Sequence, residues 1–304
     1  MLRSLLRRGA EGVLGGRIAD ARVGRRRVSD TLVLAFHNVV PDGAPAAGDR
    51  SLHLALSTFR ELMERLARIC TPISLSALAD GTAPTGRPRF AVTFDDAYRG
   101  ALTLALPELV RLHIPATIFV PTACIGDHDF WWDALAHPKH GLDDAFRHHA
   151  LETLAGDDAA IRAWAESRGQ AARAMPPLWR SVTHDELRAA ADLRGITLAP
   201  HTARHRALDR LAPDERREEL EAPLAGFASH ALPPVRTLAY PYGRSSPAVI
   251  ADTQGAGYDS AWLVSGGWMG GAFGDSRFAL PRLNVGARAS VRGLFLRAAS
   301  LLPL

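Results

Sequence analysis

The sequence predicts an α/β protein with strand tips converging on one face, barrel-like in architecture and interrupted by a mostly helical insertion. Three observations carry that expectation. Short apolar runs of strand length recur along the 304 residues, separated by stretches with helical spacing. Several runs end abruptly in reactive side chains, as at Phe90 to Gly100, FAVTFDDAYRG, where Asp95 and Asp96 follow the apolar residues directly. In a β/α architecture the C-terminal ends of the strands share one face, so groups at different tips can reach a common point. Finally, Gly126 to Arg180 shows no strand-like alternation and reads as the insertion.

Taken in order, Thr31 to Phe36, TLVLAF, reads as the first strand and delivers His37 at its end. Ser57 is expected to cap a helix on which Phe59, Leu62, Met63, Leu66 and Ile69 form a core face. Pro84 to Pro88 is a loop entering the strand that ends at Asp95. Ala101 to Leu112 reads as a helix despite Pro107, and Ala116 to Val120 as a strand. Thr183, with Glu186 three residues later, is a capping box for a helix through Leu193. The strand from Ile196 leads to His201, and Pro213 to about Phe227 is a solvated, charged helix. Ser246 to Gln254 is a short helix ended by Gly255 or Gly257, and Asp259 to Val264 a strand. Gly266 to Gly274 reads as a flexible loop whose glycines lack phosphate-cradle spacing. Leu280 to Val285 is a late strand, and Val291 to Leu302 an amphipathic helix packed on the domain.

An apolar content of 47% suits one α/β domain with a large core and excludes a disordered chain. The net charge of +4 is unevenly placed: residues 1–27 carry +6 and residues 277–304 carry +5, which leaves −7 for the residues between. A nucleic-acid-binding face on the body is therefore not expected. Cys70 and Cys124 are the only cysteines, both in apolar surroundings, and read as free thiols of a reducing compartment. Residues 1–27 read as a solvated basic arm, with an interfacial helix on anionic lipid as the alternative. No apolar run there is long enough for a secretory leader or a membrane span, so a cytoplasmic or membrane-peripheral location is expected.

Three stretches carry chemistry. Asp95 and Asp96 sit where the chain leaves a strand, so one can bind a metal while the other stays free as a base; a helix N-cap is the alternative. His201 and His205, in ITLAPHTARHRAL, stand four apart after an apolar run, and on a helical turn they would share a face. Two imidazoles, one carboxylate and an open position make the ligand set of a catalytic zinc-type site. The other close pairs, His137 with His140 and His148 with His149, follow no strand-like run. Val235 to Gly243, VRTLAYPYG, ends in a rigid turn able to aim backbone N–H groups at a developing oxyanion.

TFDDAY at 93–98, HTARH at 201–205 and AYPYG at 239–243, in this order, resemble the first three motifs of the polysaccharide deacetylases, also known as NodB-homology or carbohydrate esterase family 4 proteins. The resemblance spans roughly residues 30–290. It implies a distorted (β/α)7 barrel over 28–304 that hydrolyses N-acetyl groups of amino sugars in a polysaccharide or glycolipid. It also implies one divalent metal ion, zinc being the expected one, held by Asp96, His201 and His205. Asp95 would then be the general base, the backbone N–H of Tyr242 an oxyanion donor, and Thr202 a residue orienting a ligand. Trp131 and Trp132 either stack on sugar rings or anchor the insertion. Trp262 and Leu280 would wall the acetyl methyl, Leu280 also fitting core packing.

Two departures from the family pattern shape the site. Ala239 stands where many relatives carry arginine, so another residue must orient Asp95, and Arg282 in LPRLNV is the candidate. The usual late histidine is absent from LPRLNV, so His37 becomes the candidate proton donor. Two rival functions remain open on the residues alone: a non-catalytic glycan-binding barrel, and a hydrolase of another bond such as a phosphoester.

Overall fold

The computed structural model describes residues 15–82, 86–137, 140–229, 235–271, 273–274, 277–287 and 290–301. Seven parallel strands follow one another along the chain: β1 (Asp30–Phe36), β2 (Arg89–Phe94), β3 (Ala116–Val120), β4 (Ile196–Pro200), β5 (Thr237–Ala239), β6 (Ser260–Trp262) and β7 (Leu283–Asn284). β1 pairs with β2, β2 with β3 and β3 with β4, while β5 pairs with β6 and β7 with β1. A bridge from Trp262 to Leu280 links β6 to the segment entering β7. Among the described residues no ladder joins β4 to β5; across that seam the His201 ring bonds to the Ala239 carbonyl. The ring is thus distorted at two places, between the second and third motifs and between β6 and β7, where a single bridge stands in for a ladder.

Alternation along the strands sorts the side chains. Leu32, Leu34, Phe36, Phe90, Val92, Phe94, Ile118 and Val120 face outward into the large core under the helices. Val33, Ala91, Phe119, Ala199, Ala239, Trp262 and Leu280 face inward and pack together in the ring. With a side-chain period of two, His37, Asp95 and His201 continue that inward set at the strand tips, and Arg282 continues it where the chain enters β7.

Helices cover the ring. α1 (Gly15–Gly24) lies beside the last helix, and α2 (Leu56–Ile69) buries Phe59, Leu62, Met63 and Leu66. Ser57 does not cap α2: the N-cap is Ala55, and the Ser57 hydroxyl donates to Asp42 instead. Pro107 is accommodated by a change of helix type, a π-helical turn at Ala101–Ala105 giving way to an α-helix from Leu106, so its missing N–H falls in a first turn. The insertion between β3 and β4 is mostly helical, with α3 (Asp144–Glu152) and α4 (Asp158–Ser167) as its main elements. The Thr183–Glu186 capping box opens α5 (His184–Ala191), followed by α6 (Pro213–Ser229) and α7 (Val291–Ala298).

Three expectations need correction or narrowing. The glycine-rich loop contains a strand, Trp268–Gly270, antiparallel to the start of β1, because Trp268 donates its indole N–H to the Ala298 carbonyl and pins the segment. The basic arm does not run through residue 27: α1 buries Ala19 and Val23 in the core, and Arg65 pairs with Asp20. Residues 1–14, the loop positions Pro84 and Thr85 and the expected helix end at Leu302 lie outside the described residues. Both cysteines are free, Cys70 buried and Cys124 partly so, and burial pushes both thiols up to about 12.

Candidate active site

At the C-terminal strand tips His37, Asp95, Asp96, His201, His205 and Tyr242 line one cavity of about 290 Å³. Asp95 continues the inward alternation of β2, and its N–H donates to the Phe36 carbonyl of β1. The chain then turns through left-handed backbone at Asp96 (φ 69°) and Ala97 (φ 52°), which carries the second carboxylate to the same cavity. Such conformations cost free energy in non-glycine residues and mark places where function sets the geometry.

His201 and His205 do not lie on a helix. They belong to a tight turn in which Thr202 (φ 64°) and His205 (φ 58°) are left-handed, and the Thr202 hydroxyl accepts the His205 N–H at 3.1 Å. The spacing of four therefore brings the rings together by turn geometry, with Nε2 of one 3.1 Å from Nε2 of the other. His205 Nε2 is 3.2 Å from Asp96 Oδ1, and His201 Nε2 is 3.6 Å from it.

The donor set fits a metal ion. His201 Nδ1–H donates to the Ala239 carbonyl at 2.7 Å, which fixes the tautomer and leaves a lone pair on Nε2. Asp96 Oδ1 is buried without a hydrogen-bond partner. Three ligand atoms, one each from Asp96, His201 and His205, lie within 4.8 Å of one another. An uncompensated cluster of buried acceptors is costly, and a divalent cation is the partner that relieves it.

Electrostatics separate the two adjacent aspartates. Burial pushes the Asp95 carboxyl up, but Arg282 overrides burial and holds it well below the usual range. The guanidinium grips both oxygens, Nη1 to Oδ1 at 2.6 Å and Nη2 to Oδ2 at 2.8 Å, while also donating to Thr93 Oγ1 and the Leu263 carbonyl. Asp96 has no such partner, and burial, Asp95 and Asp133 all raise it. Burial lowers His201 to about 4, and burial together with the neighbouring His201 holds His205 well below the usual imidazole value. His37 is lowered by burial against the pull of Asp95, and its ring makes no hydrogen bond to a described residue.

Tyr242 sits in the 3₁₀ turn Pro241–Gly243 with φ 59°, its ring 4.6 Å from that of His205. Trp131 and Trp132 both line the cavity and anchor the insertion; the Trp132 ring lies 4.8 Å from His205. Trp262 is no wall for a small ligand: it is buried inside the ring with its indole N–H on Thr237 Oγ1, and Leu280 is core beside it. The cavity is instead closed by Leu52, Leu151, Trp132 and Val264.

Sequence reasoning passed over a buried polar chain behind this wall. Asp133 accepts from Tyr98 Oη at 2.6 Å, from His53 Nε2 at 3.0 Å and from the Asp49 N–H at 2.7 Å, and Tyr98 Oη accepts the Trp132 indole N–H at 2.7 Å. Arg147 of α3 lines the cavity and pairs with Asp49. The signal available was the carboxylate next to two tryptophans in FWWD; its partners come from residues 35 to 84 positions away.

Two imidazoles and two electrostatically distinct carboxylates at the tips of a parallel β/α ring define a hydrolase-type barrel site. The model of the family described as "Polysaccharide deacetylase" matches residues 82–261, more than half the chain, and the chain belongs to this family. Its members deacetylate polysaccharides, which sets the coarse function. Solved structures share the fold. Streptococcus pyogenes deacetylase PplD, in complex with acetate, is 16% identical with a TM-score of 0.60, covering 89% of this chain and 98% of that one. BC0361, a polysaccharide deacetylase from Bacillus cereus, is 16% identical with a TM-score of 0.63, covering 89% and 69%. IcaB from Ammonifex degensii is 14% identical with a TM-score of 0.62, covering 89% and 97%. Comparison with curated proteins finds no sequence match.

Proposed function

We propose that this protein is a metal-dependent hydrolase that removes N-acetyl groups from amino sugars of a glycan. The observation that carries the reading is the division of labour at one cavity: Asp95 clamped and ionised by Arg282, beside Asp96, His201 and His205, whose ligand atoms converge around the unpartnered Asp96 Oδ1. Asp96, His201 and His205 would hold a divalent ion, zinc by the chemistry of the donor set. Such an ion supplies Lewis-acid activation of a water and of the acetyl oxygen.

The residues of the chain do the rest. Asp95 takes the proton as water adds to the acetyl carbon, and Arg282 keeps that carboxylate ionised and aimed. The Tyr242 backbone N–H points a dipole at the oxygen on which negative charge develops. His37, on the neighbouring strand tip, gives a proton to the sugar nitrogen as the C–N bond breaks, leaving acetate and a free amine. Leu52, Leu151 and Val264 enclose the methyl group.

The test is acetate release from N-acetylated chito-oligosaccharides by protein stripped of metal and then reloaded with zinc. Turnover that needs the ion supports the reading. Glycan binding without acetate release, metal present, would mean a non-catalytic barrel. A phosphoesterase acting through two ions is disfavoured because a single His/Cys/Asp/Glu cluster of ligand geometry occurs among the described residues.

A further inference from the structure

The first and last described helices, α1 and α7, pack against each other on one flank of the ring. Arg26 ties the joint: it donates to Ser300 Oγ at 2.9 Å and lies over the Trp268 ring at 4.8 Å. Arginines without a partner gather around this joint, although single ones such as Arg68, Arg173 and Arg194 also stand unpaired elsewhere among the described residues. In the body, arginines such as Arg99, Arg204 and Arg244 are each engaged by two carboxylates. The guanidinium groups of Arg22, Arg25, Arg27 and Arg297 make no ion pair or hydrogen bond among the described residues. Two of the four exposed large apolar side chains of the described chain stand among them, Ile18 at 44% and Val28 at 41% exposure.

We infer that this face docks on an anionic lipid bilayer. The partner's charge is set by the unpaired arginines, since a guanidinium already held by carboxylates offers little to a phosphate and a free one offers a bidentate fork. Exposed Ile18 and Val28 among those arginines suit the boundary between headgroups and acyl chains, where apolar side chains leave water while neighbouring cations meet phosphate. Duplex nucleic acid would use the charges and leave both apolar groups in water. The sequence preceding α1 has the same composition, with Leu2, Leu5 and Leu6 among Arg3, Arg7 and Arg8. The −7 of residues 28–276 repels an anionic surface and orients the molecule with this flank toward it. Arg25, Arg27 and Val28 lie in the turn that enters β1, about 20 Å along the strand from its catalytic tip. Docking therefore leaves the cavity turned away from the bilayer. The inference is independent of the reaction catalysed there.

Co-sedimentation of the full chain with vesicles tests it. Binding is expected to vesicles of phosphatidylcholine with roughly 30% phosphatidylglycerol, to fall as salt is raised, and to be absent with phosphatidylcholine alone. Arg22→Glu, Arg25→Glu and Arg27→Glu together should cut binding at least about tenfold, while the corresponding Lys variants retain it. Ile18→Ser with Val28→Ser, which leaves every charge in place and guards against a misfolded charge variant, should cut it several-fold. Both sets should keep the wild-type melting temperature and glycan turnover. Equal binding to neutral vesicles, or anionic binding unchanged by the charge reversal, overturns the proposal. So does vesicle binding indifferent to Ile18 and Val28 and displaced by equimolar duplex DNA, which would mark a general polyanion site.

Discussion

The inside of the ring is built from the same inward-facing positions at two levels, and the two levels obey opposite rules. In the lower level Val33, Ala91, Phe119, Ala199, Ala239, Trp262 and Leu280 are apolar, buried and mutually packed, and the one polar atom, the Trp262 indole N–H, has its acceptor. Two or four residues further along the strands stand His37, Asp95, His201 and Arg282. This upper level is bordered by five of the nine positive-φ non-glycine residues among the described residues, Asp96, Ala97, Thr202, His205 and Tyr242, and holds the unpartnered Asp96 Oδ1. The lower level is what stability requires, whereas the upper level keeps unmet bonding capacity where a ligand can use it.

Substitutions can break this contrast. The largest expected loss of turnover comes from His201→Ala or His205→Ala, which removes a proposed metal ligand: zinc content should fall from stoichiometric, with a rate loss of roughly 10³-fold or more. Stoichiometric zinc retained by both variants, measured by elemental analysis, would refute the ligand assignment. Asp95→Asn keeps shape and removes the proton acceptor, so zinc should stay and kcat fall by about 10²–10⁴. Loss of zinc in that variant would exchange the roles of Asp95 and Asp96.

His37→Gln should also retain zinc, with a fall toward the lower end of about 10²–10⁴ for a missing general acid. A near wild-type kcat would return His37 to a structural role. Arg282→Met acts one step removed. In the wild type the Asp95 pKa is depressed, so its stabilising pair is complete above the unfolded carboxylate value of about 3.9 and weakens as pH falls through the folded value. Without the guanidinium, burial is unopposed and the carboxyl rises, so the acidic limb of kcat/KM should move to higher pH and neutral turnover drop roughly tenfold. An unmoved limb would mean that Arg282 does not set the state of Asp95.

Trp262→Ala, in the lower level, should barely alter kcat where the protein stays folded, yet cost about 3–5 kcal/mol of unfolding free energy for the cavity it leaves. A selective loss of turnover with an unchanged denaturation midpoint would place Trp262 in the reacting site after all and erase the distinction between levels.

Much of this was legible in local sequence, because strand alternation is a property of a few consecutive residues. The apolar runs before His37, Asp95 and His201 put those side chains on the inward set and at strand tips, and the three ordered motifs marked the family. The spacing of His201 and His205 was read correctly as proximity and wrongly as a helix, since left-handed backbone at Thr202 and His205 achieves the same approach without helical hydrogen bonds. What tertiary structure alone decided are the contacts of long sequence separation. Arg282 reaches Asp95 across 187 residues because β7 and β2 both flank β1. Asp133 meets Tyr98, His53 and the Asp49 N–H only once the insertion folds back over the strand tips. Trp262 turned inward as core because its indole found Thr237 on the paired strand. Such partners are chosen by chain topology, and the physical reason they escape a sequence reading is that a carboxylate or an indole specifies the kind of partner it needs, while only the folded ring specifies which residue stands within reach.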